Sequence, residues 1–319
     1  MFALFGFYRV IIQRFAASKK IKMNNHLKGV LYVGVGAASY GILATFVKFA
    51  NNNGSGTAGL AFAQYFVGVV VLTLLSFLFS KKNTAPTDKK EIRKDKLKLV
   101  AFGSFLGLTS SFYYLSIQYI PVSVGIILLM QTIWMGVVLE FFMNRKLVTQ
   151  KKIIGAGAVI IGTLLAAKIF EVDAALNFKG LIFGLLAALC YTGTLYATSS
   201  IALELPLFTR SKYLILGGLI VTMIFWNVQI IADFDWWVFL KWGTFLGFFG
   251  TILPPILFNK GIPVIGTGLG SIISALEIPI SVMSAYLILH EEISSLQWLG
   301  ILIILISVVY INLKPKAKK

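Results

Sequence analysis

The sequence predicts an all-α integral membrane protein of ten transmembrane helices arranged as two inverted five-helix repeats. Three observations lead there. Of 319 residues, 58% are hydrophobic and 13% charged, against roughly a quarter charged in a soluble domain. Ten apolar runs come near the length of about 20 residues that crosses a bilayer. Blocks of the first half recur in the second.

The ten runs are Gly29–Val47, Ala58–Phe79, Leu99–Gln118, Val122–Met143, Ile153–Phe170, Gly180–Leu203, Tyr213–Ala232, Trp236–Phe258, Val264–Leu289 and Leu296–Leu313. The fifth is the shortest and the richest in Gly and Ala. The eighth carries Lys241 near one end, where its stem can snorkel to the interface. Most connections are short, so successive spans are antiparallel neighbours.

The charges test this count. With the N-terminus in the cytoplasm, twenty-five of the 29 basic residues fall in segments on that side. They include the run from Lys81 to Lys98, the group Arg145, Lys146, Lys151 and Lys152, and the tail from Lys314. Lys168 and Lys179 fall outside, and Lys48 and Lys241 lie near span ends. This is the positive-inside pattern. It puts both termini in the cytoplasm of a multi-pass protein of the cell (inner or plasma) membrane. Trp236, Trp237 and Trp298 fall at outer span ends, as an interfacial aromatic belt would. The net charge of +17 therefore reads as topology and not as a nucleic-acid surface. The expected partners are the lipid bilayer and a small-molecule substrate, with a monomer as the working expectation.

Residues 1–27 read as an N-terminal cytoplasmic extension. Its first 22 residues lack the unbroken apolar centre and early charge of a signal peptide. An interfacial helix would fit them; a mis-assigned start, with Met23 as the true first residue, fits better. Residues 28–170 and 179–313 form the two repeats, and 314–319 a basic cytoplasmic tail.

The repeat is read directly. Lys28 to Tyr32 resembles Lys179 to Phe183, and Ala37, Ser39 and Tyr40 then meet Ala188, Cys190 and Tyr191. Gln131 to Lys146 lies over Glu277 to Glu292 without a gap, placing Gln131 on Glu277 and Ile133 on Pro279. Five spans per half is an odd number, so the second copy starts on the opposite side of the membrane. Inverted repeats recur in secondary transporters, with the substrate site near the midplane between the halves.

These segments resemble the EamA family of the drug/metabolite transporter superfamily. The residues that carry the resemblance are Leu115–Leu129, Asn259–Glu292 and the last span of each half, opened by Gly155 and Gly300. The family's Leu-Glu-Pro in the ninth helix is matched by Leu276, Glu277 and Pro279 with one residue inserted, and its terminal Glu by Glu291 or Glu292. The first half departs, with Ile133 or Trp134 where a proline is usual and Arg145-Lys146 where an acidic residue is usual. The resemblance implies cytoplasmic ends, a cavity lined by the first, third, fourth, sixth, eighth and ninth helices, and export or exchange of small metabolites.

Glu277 is the sharpest site candidate. It lies 13 residues from the start of its run and 12 from the end, and an ionised carboxylate at such depth costs on the order of 3 kcal/mol or more. It must face the bundle interior, take a partner or hold its proton. Two roles follow, proton coupling and binding of a substrate amine. The alternative is a structural carboxyl bonded to Ser274, Ser281 or a neighbouring helix. Gln131, Tyr40 and Tyr191 sit at similar depth, Tyr113 and Tyr114 lie on the third span, and Trp134 follows one turn after Gln131. All six join Glu277 as substrate-binding candidates, with plain helix packing as the alternative. Pro254, Pro255 and Pro279 interrupt the backbone ladder and are candidate hinges or static kinks. Glu140 is expected to pair with Arg145. His290, Glu291 and Glu292 read as a solvated helix end.

The remaining chemistry is sparse. Cys190 is the single cysteine and His26 and His290 the only histidines. No metal site, cofactor or catalytic constellation is expected, and no phosphate-binding Gly-loop marks an ATPase. The chain reads as a secondary transporter, an exporter or exchanger of small metabolites such as amino acids or related amphipathic compounds. A flippase of a lipid or lipid precursor on the same fold is the alternative.

Overall fold

Long apolar runs in hydrocarbon must satisfy every backbone group internally, so they fold as helices. The computed structural model describes residues 24–79, 89–143, 145, 148–166 and 177–312. The expectations for residues 1–22, for Met23, for the tail 314–319 and for the loop charges Lys81, Lys146 and Lys168 lie outside the described residues.

The helices in order are α1 (Asn25–Gly41), α2 (Leu43–Asn52), α3 (Thr57–Phe79), α4 (Lys89–Tyr119), α5 (Val122–Leu129), α6 (Thr132–Met143), α7 (Gln150–Ala166) and α8 (Phe178–Ser200). There follow α9 (Leu207–Trp226), α10 (Val228–Ala232), α11 (Trp236–Val238), α12 (Thr244–Leu246), α13 (Leu253–Ile265), α14 (Thr267–Ser274), α15 (Glu277–Leu289) and α16 (Ser295–Asn312). Two π-helical stretches, Phe239–Gly243 and Gly247–Ile252, flank α12.

Among the described residues, eight helices are long and apolar enough to cross a membrane, which corrects the expected ten. They are Asn25–Asn52, Thr57–Phe79, Lys90–Tyr119, Val122–Met143, Phe178–Ser200, Leu207–Trp226, Trp236–Ile265 and Thr267–Leu289. The expected fifth span falls on α7, which has 17 residues. Its described residues fall short of a full span, and Lys151 and Lys152 occupy its first turn. The expected tenth span falls on α16, of which the stretch Ser295–Ser307 is described in full and is likewise short of that length. The expected two inverted five-helix repeats go with that count: eight such helices stand among the described residues. α7 and α16 pack along each other, closely enough that a Cβ on Gly162 would lie 2.8 Å from the Gly300 carbonyl oxygen.

Helix pairing sets the rest. α1 packs on α13 and, in the other half, α8 packs on α4; α9 packs on both α3 and α4. Lipid tails are as apolar as leucine, so close backbone approach rather than hydrophobic burial joins such helices. On α4 and α9 the approach is extreme. A Cβ on Gly103 would lie 2.1 Å from the Leu214 carbonyl oxygen, and one on Gly217 would lie 2.0 Å from that of Val100.

Three long helices break in mid-course. The first breaks between Gly41 and Leu43, the fourth at Met130–Gln131, and Thr267–Leu289, the ninth of the ten expected runs and called the ninth helix below, at Ala275–Leu276. At the ninth, Pro279 lacks the N–H that would reach the Ala275 carbonyl, and the Ile278 N–H takes it at 3.0 Å instead. The fourth breaks without a proline. Its Gln131 N–H turns to the Leu128 carbonyl at 3.0 Å, and Gln131 Nε2 donates to the Ile127 carbonyl at 3.2 Å. Pro254 and Pro255 stand in the first turn of α13, where no N–H is required, just after the second π-helical stretch. Pro263 lies inside α13.

Candidate functional site

The break in the ninth helix makes Glu277 the first residue of α15, 2% exposed. Its Oε1 accepts a hydrogen bond of 2.5 Å from the Tyr191 hydroxyl. Tyr191 reaches it because α8 presents one buried face through Ala187, Ala188, Tyr191, Thr194 and Leu195, the spacing of one helical stripe. Tyr40, near the end of α1, meets Tyr191 edge-on at 6.2 Å and Phe258 at 5.5 Å. Tyr113 on α4 lies within the field of Glu277 and beside Ser281. Ser281 is four residues after Glu277 and on the same face of α15. The hydroxyls of Tyr113 and Ser281 are both buried, and neither makes a well-formed hydrogen bond.

The site therefore joins α1, α4, α8 and α15 around one carboxyl. The ion pairs Lys98–Asp95 and Lys152–Glu140 lie elsewhere, and among the described residues no cation is paired with Glu277. A buried carboxyl held by one hydroxyl still wants a proton or a cationic group as its complement. Two orphan hydroxyls alongside can accept or donate one hydrogen bond more.

The other expected residues are placed differently. Tyr114 donates to Gln64 Oε1 at 2.6 Å, in a layer where Tyr65 bonds Ser110 at 2.8 Å and Thr251 bonds the Gln64 carbonyl at 2.8 Å. Gln131 bonds Trp134, whose Nε1 donates to Gln131 Oε1 at 3.0 Å. Both lie away from the buried stripe of Ile133, Val137 and Glu140, so Gln131 has its partners on its own helix and not at Glu277. Ser274 turns back to the Gly270 carbonyl at 3.0 Å.

Three carboxylates near helix ends have partners that sequence reasoning missed. Glu140 bonds Lys152 at 2.8 and 3.0 Å, whereas Arg145 lies over the Phe141 ring at 4.7 Å. Lys152 comes up through the fold from α7. Glu291 accepts from the Val122 and Ser123 N–H groups at 3.0 and 3.2 Å; the signal for it was the terminal Glu of the resemblance. Asp233 accepts from the Ala58 N–H at 3.1 Å.

No curated protein matches the sequence. A solved structure titled only "Crystal structure of protein" superposes with a TM-score of 0.67 at 12% identity, covering 90% of this chain and 98% of that one. At that identity the likeness shows the fold alone. The EamA-like transporter family matches twice, over residues 27–168 and 178–313. With the described helices falling almost entirely within those two stretches, this multi-pass membrane chain belongs to the EamA-like transporter family of the drug/metabolite transporter superfamily.

Proposed function

We propose that the chain is a secondary carrier of small metabolites, amino acids or related amphipathic compounds, working as exporter or exchanger by alternating access. Glu277, Tyr191, Tyr40 and Tyr113 form its substrate site, and Glu277 carries the coupling proton. The observation behind this reading is the buried Glu277–Tyr191 pair, with two hydroxyls beside it that lack a well-formed hydrogen bond and no counter-cation among the described residues. Broken helices beside that pair support it, since carriers commonly bind substrate where helices are interrupted. The basic segments support cytoplasmic termini.

Purified protein reconstituted in vesicles with an entrapped pH dye tests the reading. Adding mixed amino acids should shift the internal pH with the wild type and leave it unchanged with Glu277→Gln, while the variant keeps a cooperative thermal transition. Equal flux by both proteins across a pH series overturns the proton role. Transbilayer movement of labelled phospholipid without movement of any water-soluble solute points to a flippase instead.

A further inference from the structure

Glu140 and Glu291 take no part in the Glu277 site, yet they stand in reciprocal positions. Glu291, just past the end of α15, grips the first two N–H groups of α5, Val122 and Ser123. Glu140, near the end of α6, lies against the first turn of α14. There a Cβ on Gly268 would come within 2.1 Å of Glu140 Oε2, and one on Gly266 within 3.0 Å of Oε1. Each broken helix thus sets a carboxylate at the start of the other, bonded to its N–H groups at α5 and in close contact with Gly266 and Gly268 at α14. A helix start offers free N–H donors and partial positive charge, so it holds an anion well.

Lys152 from α7 bonds both oxygens of Glu140. At the other end Lys48 of α2 donates to the Ile117 carbonyl at 2.5 Å. The half-helices pair accordingly: α5 packs on α15, and α6 packs on α14. The breaks at Met130–Gln131 and Ala275–Leu276 separate one pair from the other and flank Glu277. With Glu277 and Tyr191 each 2% exposed, both pairs are shut over the site.

We propose that α5–α15 and α6–α14 are two independent gates, latched by Glu291 and by Glu140, and that each end of the site opens when its own carboxylate leaves its helix start. The inference rests on the alternating-access reading and adds the elements that hold each side closed. Asp233 serves as an internal control. It caps the start of α3 in the same way, but α3 belongs to neither gate.

The test is side-specific labelling in oriented vesicles. Cys190→Ala removes the native thiol and Ser281→Cys places a reporter beside Glu277. A membrane-impermeant maleimide is then applied from one face at a time. Glu291→Gln should raise labelling from the Val122 face about tenfold, within the usual range of coupling between sites, and leave the opposite face unchanged. Glu140→Gln should do the reverse. Lys152→Gln loosens the same latch from its other partner and should act as Glu140→Gln does, which covers a folding failure of either variant. Asp233→Asn should change neither face. The latches are overturned if the Glu variants raise labelling from the same face, from both faces alike or from neither, while the reporter in the parent protein reacts from both faces. A reporter that reacts from one face only, in the parent and in every variant, overturns alternating access itself.

Discussion

Tyr191 and Glu277 form a hydroxyl–carboxyl contact of 2.5 Å that crosses from α8 to α15. Both residues lie in the second family-matched stretch, and the contact sits next to the break in the ninth helix. Its loss leaves a buried acid without its described partner.

Tyr191→Phe should therefore destabilise the protein by about 1–3 kcal/mol, the usual cost of an unsatisfied buried polar group. Thermal unfolding of the purified protein in detergent reads this. In the cycle with Glu277→Gln, the double variant should be less destabilised than the sum of the singles, because the two side chains share one contact. Strict additivity would mean that the contact carries no energy.

The Glu140–Lys152 pair predicts an asymmetry. Lys152→Met strands a buried carboxylate and should cost about 3 kcal/mol or more. Glu140→Gln leaves a neutral group against α14 and a lysine long enough to reach another partner, so its loss should be smaller. Denaturant midpoints measured at one temperature compare the two. Equal losses would show that the stranded charge is already compensated by the start of α14.

The α4–α9 contact has no room for a methyl group. Gly103→Ala and Gly217→Ala should each cost about 1–3 kcal/mol by overpacking, more if the helices cannot part. Gly157 on α7 has nothing within 4 Å of a notional Cβ. Gly157→Ala should be neutral or stabilise by up to about 1 kcal/mol through helix propensity. The sign difference between these glycines, read from melting temperatures, is the check.

The fourth helix breaks without a proline, so Pro279 is not needed to explain the break in the ninth. Pro279→Ala should leave the melting temperature within the range of about 1 kcal/mol that proline substitutions contribute through the unfolded chain. A much larger stabilisation would show that the proline strains the break and makes it a hinge.

Eight of the apolar runs and the inward burial of Glu277 were legible in the sequence, because hydropathy and intramembrane polarity are local signals. The number of crossings was not. Nor was the partner of Glu140. Arg145 is nearer in the chain, but Lys152 arrives from α7, and such a choice is made by tertiary packing. Gln131 was expected at the central site because glutamine is costly in hydrocarbon. The structure satisfies it on its own helix, through Ile127 and Trp134. The breaks at Gly41–Leu43 and Met130–Gln131 carry no proline, so the turn signals of the sequence pass over them.

A break divides a rod into two levers. α15 has 13 residues, an arm of about 20 Å, and a swing of about 10° about its first residue moves the far tip by about 3 Å. That is as long as the contacts Glu291 makes with Val122 and Ser123. A tilt too small to disturb the packing around Glu277 is thus enough to carry its distant end out of reach.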